Sequence, residues 1–183
     1  MQLKLWVASC ATVLTLAACG NGGLDDVVHQ SGSITYEAQM DSTEGNEGLS
    51  GFVRFEPHVD GVRVLAEIEG LPANSSHGFH IHQYGDCGAP DGTSAGGHYN
   101  PQGMPHGGPD DERRHMGDMG NIETNEHGVG LIDYVDSHIQ LDGPYSILGR
   151  GVIVHAAADD LESQPTGDAG ARLLCGVIGV TED

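Results

Sequence analysis

Two histidines separated by a single residue, His80 and His82, open the part of the sequence that could do chemistry. If this segment is a β-strand, both side chains point to the same face and lie about 6–7 Å apart. Two imidazoles at that spacing can reach one transition-metal ion. The pair alone is weak evidence, because two histidines on one strand face are more often structural or exposed.

A segment rich in glycine and proline follows and supplies further candidate ligands: His98, His106, His115 and Asp118. Three imidazoles and one carboxylate can form a closed tetrahedral site, which is typical of structural zinc. Glycines and prolines such as Gly103 and Pro105 allow the chain to fold back around a small ion. The alternative is a solvated histidine-rich loop that binds nothing.

His155 follows an apolar run at residues 152–154 and completes a set of six histidines and one aspartate. That set is larger than one tetrahedral ion requires. The sequence therefore predicts two neighbouring metal ions.

Short apolar runs separated by turns must position these ligands. In residues 62–68, Val62, Val64, Ala66 and Ile68 alternate with other residues and share one strand face. Similar runs occupy residues 33–40, 51–56, 78–84, 128–135, 151–155 and 173–180. No stretch of 12 residues has a helical period. We predict an all-β sandwich or barrel.

Two long segments interrupt this pattern, residues 85–117 and residues 156–171. They are rich in small and polar residues. Structureless loops of that length in a compact domain are usually functional, and the first contains most of the candidate ligands.

The charge of the chain excludes several classes of partner. The 183 residues include 27 acidic and 7 basic ones, a formal charge of −20, which argues against a nucleic-acid partner. Apolar residues make up only 38%, and the mean hydropathy of −0.26 excludes an integral membrane protein. The length suits one domain with a sizeable core.

The N-terminus has the features of an export signal. Lys4 precedes an apolar run at residues 5–16, and Leu16-Ala17-Ala18-Cys19-Gly20 resembles the cleavage box of bacterial lipoproteins. We predict a signal peptide at residues 1–18, a lipidated Cys19, a flexible tether over residues 19–32 and a folded domain at residues 33–183. The alternatives are an ordinary signal peptide cut nearby, or an apolar segment that contains a cysteine by chance.

Export has three consequences. We expect a protein in the periplasm or at the cell surface, anchored by lipid to the outer membrane. Cleavage removes Lys4 and leaves 6 arginines against 27 acidic residues, a charge of −21. Among the four cysteines, only Cys87 and Cys175 then remain unmodified, and in an oxidising compartment they predict one disulfide rather than two free thiols.

The motifs around the candidate ligands resemble those of the copper,zinc superoxide dismutases. The matching segments are Gly78-Phe79-His80-Ile81-His82, Gly96-Gly97-His98-Tyr99-Asn100-Pro101, His106-Gly107-Gly108-Pro109, Arg114-His115-Met116-Gly117-Asp118, Val154-His155 and Gly170-Ala171-Arg172-Leu173-Leu174-Cys175-Gly176. They occur in order between residues 33 and 180. The resemblance implies a Greek-key sandwich or barrel of about eight antiparallel strands with two long functional loops.

The same resemblance implies a role for each residue. Copper would be bound by His80, His82, His98 and His155, and zinc by His98, His106, His115 and Asp118. His98 would bridge the two ions and exchange a proton during turnover. Asp159 would connect a copper ligand to a zinc ligand, and Arg172 would bind superoxide, which the enzyme converts to O₂ and H₂O₂. Leu148, Gly149, Val177 and Val180 match positions at which dimeric members pair, so the resemblance also implies a possible homodimer.

The sequence departs from many members of that family in two places. Cys87 lies eleven residues before His98, where many members have this cysteine six residues before the bridging histidine. Residues 161–168 are shorter than the corresponding loop of animal members, and Pro165 stands where those members have a lysine that attracts superoxide. A non-catalytic surface protein that binds copper and zinc is the alternative function.

Overall fold

A computed structural model describes residues 34–182. The predicted signal peptide, Cys19 and the tether lie outside these residues, so what we predict for them stays a prediction. Among the described residues, no helix is long and apolar enough to cross a membrane.

The described chain consists of nine strands and one short 3₁₀ turn. The strands are β1 (Ile34–Ser42), β2 (Ser50–His58), β3 (Gly61–Glu69), β4 (Ser76–His82), β5 (Asp118–Glu123), β6 (Gly130–Asp136), β7 (Gly151–His155), β8 (Arg172–Val177) and β9 (Gly179–Glu182), and the turn is Thr93–Ala95. The alternation in residues 62–68 does form a strand, β3, in which every second side chain is buried.

All the strands belong to one antiparallel sheet in the order β5-β4-β7-β8-β1-β2-β3-β6, with β9 paired to β1. A bridge between Thr124 and Gly130 joins the chain after β5 to the start of β6, so the two edges of the sheet meet in a nearly closed barrel. The pairing of β3 with β6 and of β4 with β7 skips intervening strands, which is the Greek-key arrangement. The predicted all-β antiparallel fold is confirmed.

The barrel interior is filled by side chains from every second position of the strands. The largest fully buried apolar side chains include Phe55, Phe79, Met40, Ile68, Ile81, Ile122 and Leu174. Each fully buried side chain of this size contributes about 1.5–3 kcal/mol of transfer free energy. The result is a rigid wall on which ligands can be mounted.

Strand β5 is the element that sequence analysis missed. Its sequence, Asp118-Met119-Gly120-Asn121-Ile122-Glu123, has no polar–apolar alternation. Gly120 has φ +78°, and all residues before Asn121 are buried. A strand covered on both faces need not alternate, so periodicity could not reveal it.

Two loops cover the outer face of the barrel: the first loop, residues 83–117, and the second loop, residues 156–171. Their positions agree with the prediction to within two residues. They bury the side chains of β4 and β7 that face away from the core, and both strands are therefore buried almost throughout. The candidate ligands lie in the layer between barrel and loops.

Candidate metal centre

The pairing of the strands brings the candidate ligands together. His80 on β4 lies opposite Asp118 on β5, and His82 at the end of β4 forms a bridge with His98 in the first loop. Phe79 and Ile81 point the other way, into the core. The barrel wall thus fixes the backbone of four ligands before any metal is considered.

Four buried histidines form a first cluster, here called the four-histidine cluster: His80, His82, His98 and His155. One ring nitrogen from each lies within 4.8 Å of the others. The Nε2 atoms of His82 and His155 are 3.3 Å apart. Four convergent imidazole nitrogens without a thiolate or carboxylate are a donor set that suits copper.

The outward-facing nitrogens of these rings are held by hydrogen bonds. His82 donates from Nδ1 to the carbonyl of Gly96 at 2.9 Å, and His155 donates from Nδ1 to the carbonyl of Gly170 at 3.1 Å. Each bond sets the tautomer and leaves Nε2 unprotonated toward the cluster. A neutral Nε2 is the form that binds a metal.

A second cluster contains His98, His106, His115 and Asp118, here called the His₃Asp cluster. Asp118 Oδ1 lies 2.8, 3.1 and 3.2 Å from the Nδ1 atoms of the three histidines. A tetrahedral zinc site with bonds of about 2.0 Å has edges of about 3.3 Å between its ligand atoms. The spacing therefore fits one zinc ion.

Several buried nitrogens lack any hydrogen-bond partner within the described structure: Nδ1 of His80, His106 and His115, and Nε2 of His98. Leaving such groups unsatisfied is costly in a folded protein. All four atoms belong to the two clusters, and a bound cation would satisfy them. His98 takes part in both clusters, with Nδ1 directed at Asp118 and Nε2 on its other side.

Asp159, in the second loop, joins the two clusters through its carboxylate. It accepts from His80 Nε2 at 2.7 Å on one oxygen and from His106 Nε2 at 2.9 Å on the other. Burial opposes ionisation of this carboxyl, but the hydrogen bonds from both histidines outweigh burial and hold its pKa well below the usual range. A carboxylate in this position fixes the orientation of both rings.

The surroundings of the two clusters shift the pKa values of their histidines in opposite directions. Burial lowers the pKa of His80 to about 3 and that of His155 to about 4, so both rings are neutral at pH 7. Burial also opposes a charge on His106, but the adjacent carboxylates of Asp118 and Asp159 outweigh this and raise its pKa to about 9. The adjacent imidazoles of His106, His115 and His98 hold the pKa of Asp118 far below its usual range despite burial. Without metal, His106 is therefore protonated at pH 7 and its charge is balanced by the carboxylates of Asp118 and Asp159.

Arg172, the first residue of β8, is directly opposite His155 on β7. Its guanidinium donates to the carbonyls of Gly92 and Gly96, both at 2.6 Å. The Gly96 carbonyl also accepts from His82, so one peptide group orients the arginine and a member of the four-histidine cluster. Arg172 is only half-buried and lines a cavity of about 300 Å³ that opens to solvent.

A disulfide between Cys87 and Cys175 attaches the first loop to β8. Cys175 lies three residues after Arg172, and Cys87 lies in the loop that carries Gly92 and Gly96. The bond therefore ties the arginine to the carbonyls that orient it. The predicted pairing is confirmed.

Comparison with known proteins agrees with this geometry. The sequence profile of the copper/zinc superoxide dismutase family matches residues 49–178. The chain belongs to this family. The superoxide dismutase [Cu-Zn] of Kluyveromyces lactis is 48% identical over 75% of this chain and 94% of its own length. The extracellular superoxide dismutase [Cu-Zn] of Drosophila melanogaster is 41% identical over 97% of both chains.

A solved structure is similar as well. The crystal structure of the clock protein EA4 matches with a TM-score of 0.74 and 39% identity, over 82% of this chain and 97% of that one. The copper/zinc superoxide dismutase family comprises oxidoreductases that act on superoxide. The predicted activity and the predicted use of copper and zinc are confirmed.

Sequence analysis missed two residues that support the ligands. Asn121 donates to the carbonyl of Asp159 at 2.9 Å and accepts from its amide at 2.7 Å. Gln164 makes the same kind of pair with the main chain of His106. An amide side chain that binds backbone leaves no spacing pattern in the sequence, and only the fold reveals it.

Proposed function

We propose that the four-histidine cluster binds copper and the His₃Asp cluster binds zinc, with His98 shared between them. The observation that carries this assignment is the set of orphaned buried nitrogens, all of which belong to these clusters. The donor atoms agree with this assignment. A set made only of imidazole nitrogens suits copper, and a closed set of three nitrogens and one carboxylate oxygen suits zinc.

Bound copper would supply the redox chemistry by which one superoxide is oxidised to O₂ and a second is reduced and, with two protons, leaves as H₂O₂. Zinc has no redox chemistry and would hold His98 and the first loop. The residues of the chain bind and orient the substrate and handle protons. Their roles follow from the contacts described above.

Arg172 is the superoxide-binding residue in this proposal. Its two short hydrogen bonds to carbonyls use two of the five N–H donors and fix the plane of the guanidinium. The remaining donors are available to a small anion beside His82 and His155. A fixed donor costs no reorganisation when the anion arrives.

His98 is the residue that we expect to exchange a proton during turnover, at Nε2. This atom is buried, lacks a hydrogen-bond partner among the described residues and lies within the four-histidine cluster. The pKa of His98 is lowered, chiefly by burial, which favours the neutral ring.

The assignment of the two sites can be tested by removing one ligand from each. His155→Ala should abolish tight copper binding and leave one zinc per chain, whereas His115→Ala should weaken zinc and leave copper. Metal content after dialysis against a weak chelator, together with the Cu(II) EPR spectrum, measures both. Equal loss of both metals in both variants would refute separate sites.

We propose further that the chain forms a homodimer through the surface around β8 and β9. Leu148, Val177 and Val180 are all between 41% and 48% exposed there. Gly85 lies so close to Gly149 and Val177 that a Cβ would overlap the Gly149 carbonyl. Residues 85, 149 and 177 therefore belong to one continuous surface. Sedimentation equilibrium should give twice the chain mass, and Val177→Arg should give a monomer.

Export with a lipid anchor at Cys19 is also a proposal. It rests on the sequence of residues 1–20 and on relatives named as extracellular enzymes, such as those of Drosophila melanogaster and Caenorhabditis elegans. Labelling of cells with a radioactive fatty acid should mark the protein. The Cys19→Ser variant should not be labelled.

A further inference from the structure

The second loop binds the main chain of His106 through a single amide side chain. The backbone N–H of His106 donates to Oε1 of Gln164 at 2.8 Å, and Nε2 of Gln164 donates to the carbonyl of His106 at 2.9 Å. Both peptide groups of this ligand are thus satisfied by one residue 58 positions away. The side chain of His106 is held by the same loop, through Asp159.

The turn that presents Gln164 is itself braced. The carboxylate of Asp160 accepts from the backbone N–H of Glu162 at 3.0 Å and of Ser163 at 2.8 Å. Gly167 donates to the carbonyl of Ser163 at 2.7 Å and accepts from the amide of Asp160 at 2.9 Å. Gln164 therefore lies in a turn whose backbone is fixed by internal hydrogen bonds.

Gly167 explains how the loop can pass so close to the ligand. A Cβ at this position would lie 1.7 Å from Asp159 Oδ1 and 2.7 Å from His106 Nε2, and the backbone has φ +64°. Any larger residue would push the loop away from the imidazole. Glycine at 167 and glutamine at 164 together bring the second loop against His106.

We propose that Gln164 is a positioning residue that holds His106 in its ligating position and thereby slows the release of zinc. The proposal rests on the assignment of His106 as a zinc ligand. Zinc can leave only when its ligands move, and the main chain of His106 can shift only when its two hydrogen bonds to Gln164 break. In this way the second loop restrains a zinc ligand from outside the metal centre.

The direct consequence is a selective effect of Gln164→Ala. The variant removes both hydrogen bonds, so zinc release should accelerate by about tenfold or more. Copper bound to His82 and His155 has no contact with Gln164 and should be retained at the wild-type level. Gln102→Ala is the matched control, because Gln102 is an exposed glutamine of the first loop.

The experiment measures three quantities on the metal-loaded and metal-free protein. They are the rate of zinc transfer to a chromogenic chelator, the visible spectrum after cobalt replaces zinc, and hydrogen exchange of the His106 amide without metal. Gln164→Ala should accelerate zinc transfer, alter the cobalt spectrum and expose the His106 amide, while core amides such as that of Val53 stay protected. Gln102→Ala should change none of these.

His106→Ala is included to separate this proposal from the ligand assignment. If His106→Ala loses zinc but Gln164→Ala releases it at the wild-type rate, Gln164 does not position the ligand and the proposal is overturned alone. If His106→Ala retains zinc as the wild type does, the ligand assignment fails and the proposal fails with it.

Discussion

At the scale of single residues, the centre depends on groups that orient a ligand rather than bind a metal. Asp159 holds His80 and His106 with separate oxygens of one carboxylate. The Gly96 carbonyl serves His82 and Arg172 in the same way. Each of these groups links two parts of the site, so its loss should affect both parts.

Asp159→Asn should weaken metal binding at one of the two clusters. An asparagine keeps one acceptor oxygen, while its NH₂ group cannot accept from a second N–H, so either His80 or His106 loses its partner. Loss of such an orienting group lowers metal affinity by about 10–100-fold. Competition with a chelator measures the change.

Asp168→Asn is the control for this variant, because Asp168 is an aspartate of the same loop but is exposed and does not hold either histidine. Copper and zinc affinities that both equal those of the wild type in Asp159→Asn would show that the carboxylate does not support the ligands.

The stability of the metal-free protein should be highest near pH 6.5. Below that pH, histidines of the unfolded chain bind protons, whereas His80 and His155 of the folded chain stay neutral until about pH 3 and 4. The unfolded state therefore binds more protons, and stability falls as the pH is lowered. Above it, the unfolded chain has lost a proton that His106 keeps up to about pH 9, so stability falls again as pH rises through this range.

Thermal unfolding of the metal-free protein between pH 4 and 9 measures this profile. His155→Gln should make the melting temperature fall less steeply with acid, because it removes one histidine that is protonated only in the unfolded chain. A melting temperature that keeps rising below pH 6 would contradict the buried, neutral state of these rings.

At the scale of elements, strands supply fixed positions and loops supply the remaining ligands. The spacing of His80 and His82 predicted a strand, because side chains two apart share a face, and β4 has that geometry. Strand β5 and the support from Asn121 and Gln164 could not be predicted, since they depend on contacts between residues distant in the sequence. The ligand set was recognisable because a metal demands particular side chains, whereas a supporting residue can be any hydrogen-bonding group.

Cys87→Ser should destabilise the fold and loosen the first loop. The disulfide spans 88 positions, and a closure of that length is worth about 4–5 kcal/mol in the chain-entropy model. The melting temperature should fall markedly. The decrease should exceed that caused by Ser94→Ala, which removes a hydroxyl group from the same loop. A melting temperature equal to that of the wild type would show that the loop is held without the bond.

At the scale of the whole molecule, the strong negative charge opposes the approach of an anionic substrate. Arg54, Arg63 and Arg114 each pair with a carboxylate. Arg172 has no carboxylate within 4.0 Å among the described residues, so its charge is not paired directly, although Asp91 acts on it from farther away. Pro165 adds no positive charge to the second loop.

The rate of superoxide removal should therefore change little with ionic strength, or rise. Salt screens the repulsion between superoxide and a chain of charge −20 over distances beyond about 10 Å. Rates measured from about 10 to 200 mM salt at constant pH test this expectation. A steep fall with added salt would mean that attraction dominates.

Superoxide decay after pulse radiolysis is the most direct test of the central claim, that this copper–zinc centre turns over superoxide bound by Arg172. The copper- and zinc-loaded protein should give fast decay that depends on bound copper. Arg172→Ala should retain both metals and lose at least about tenfold in rate, as expected for removal of a fixed donor to an anion. Arg63→Ala, which removes the same charge from the far surface, should match the wild type. Decay no faster than in buffer, with both metals bound, would contradict the claim and leave a protein that only stores metal.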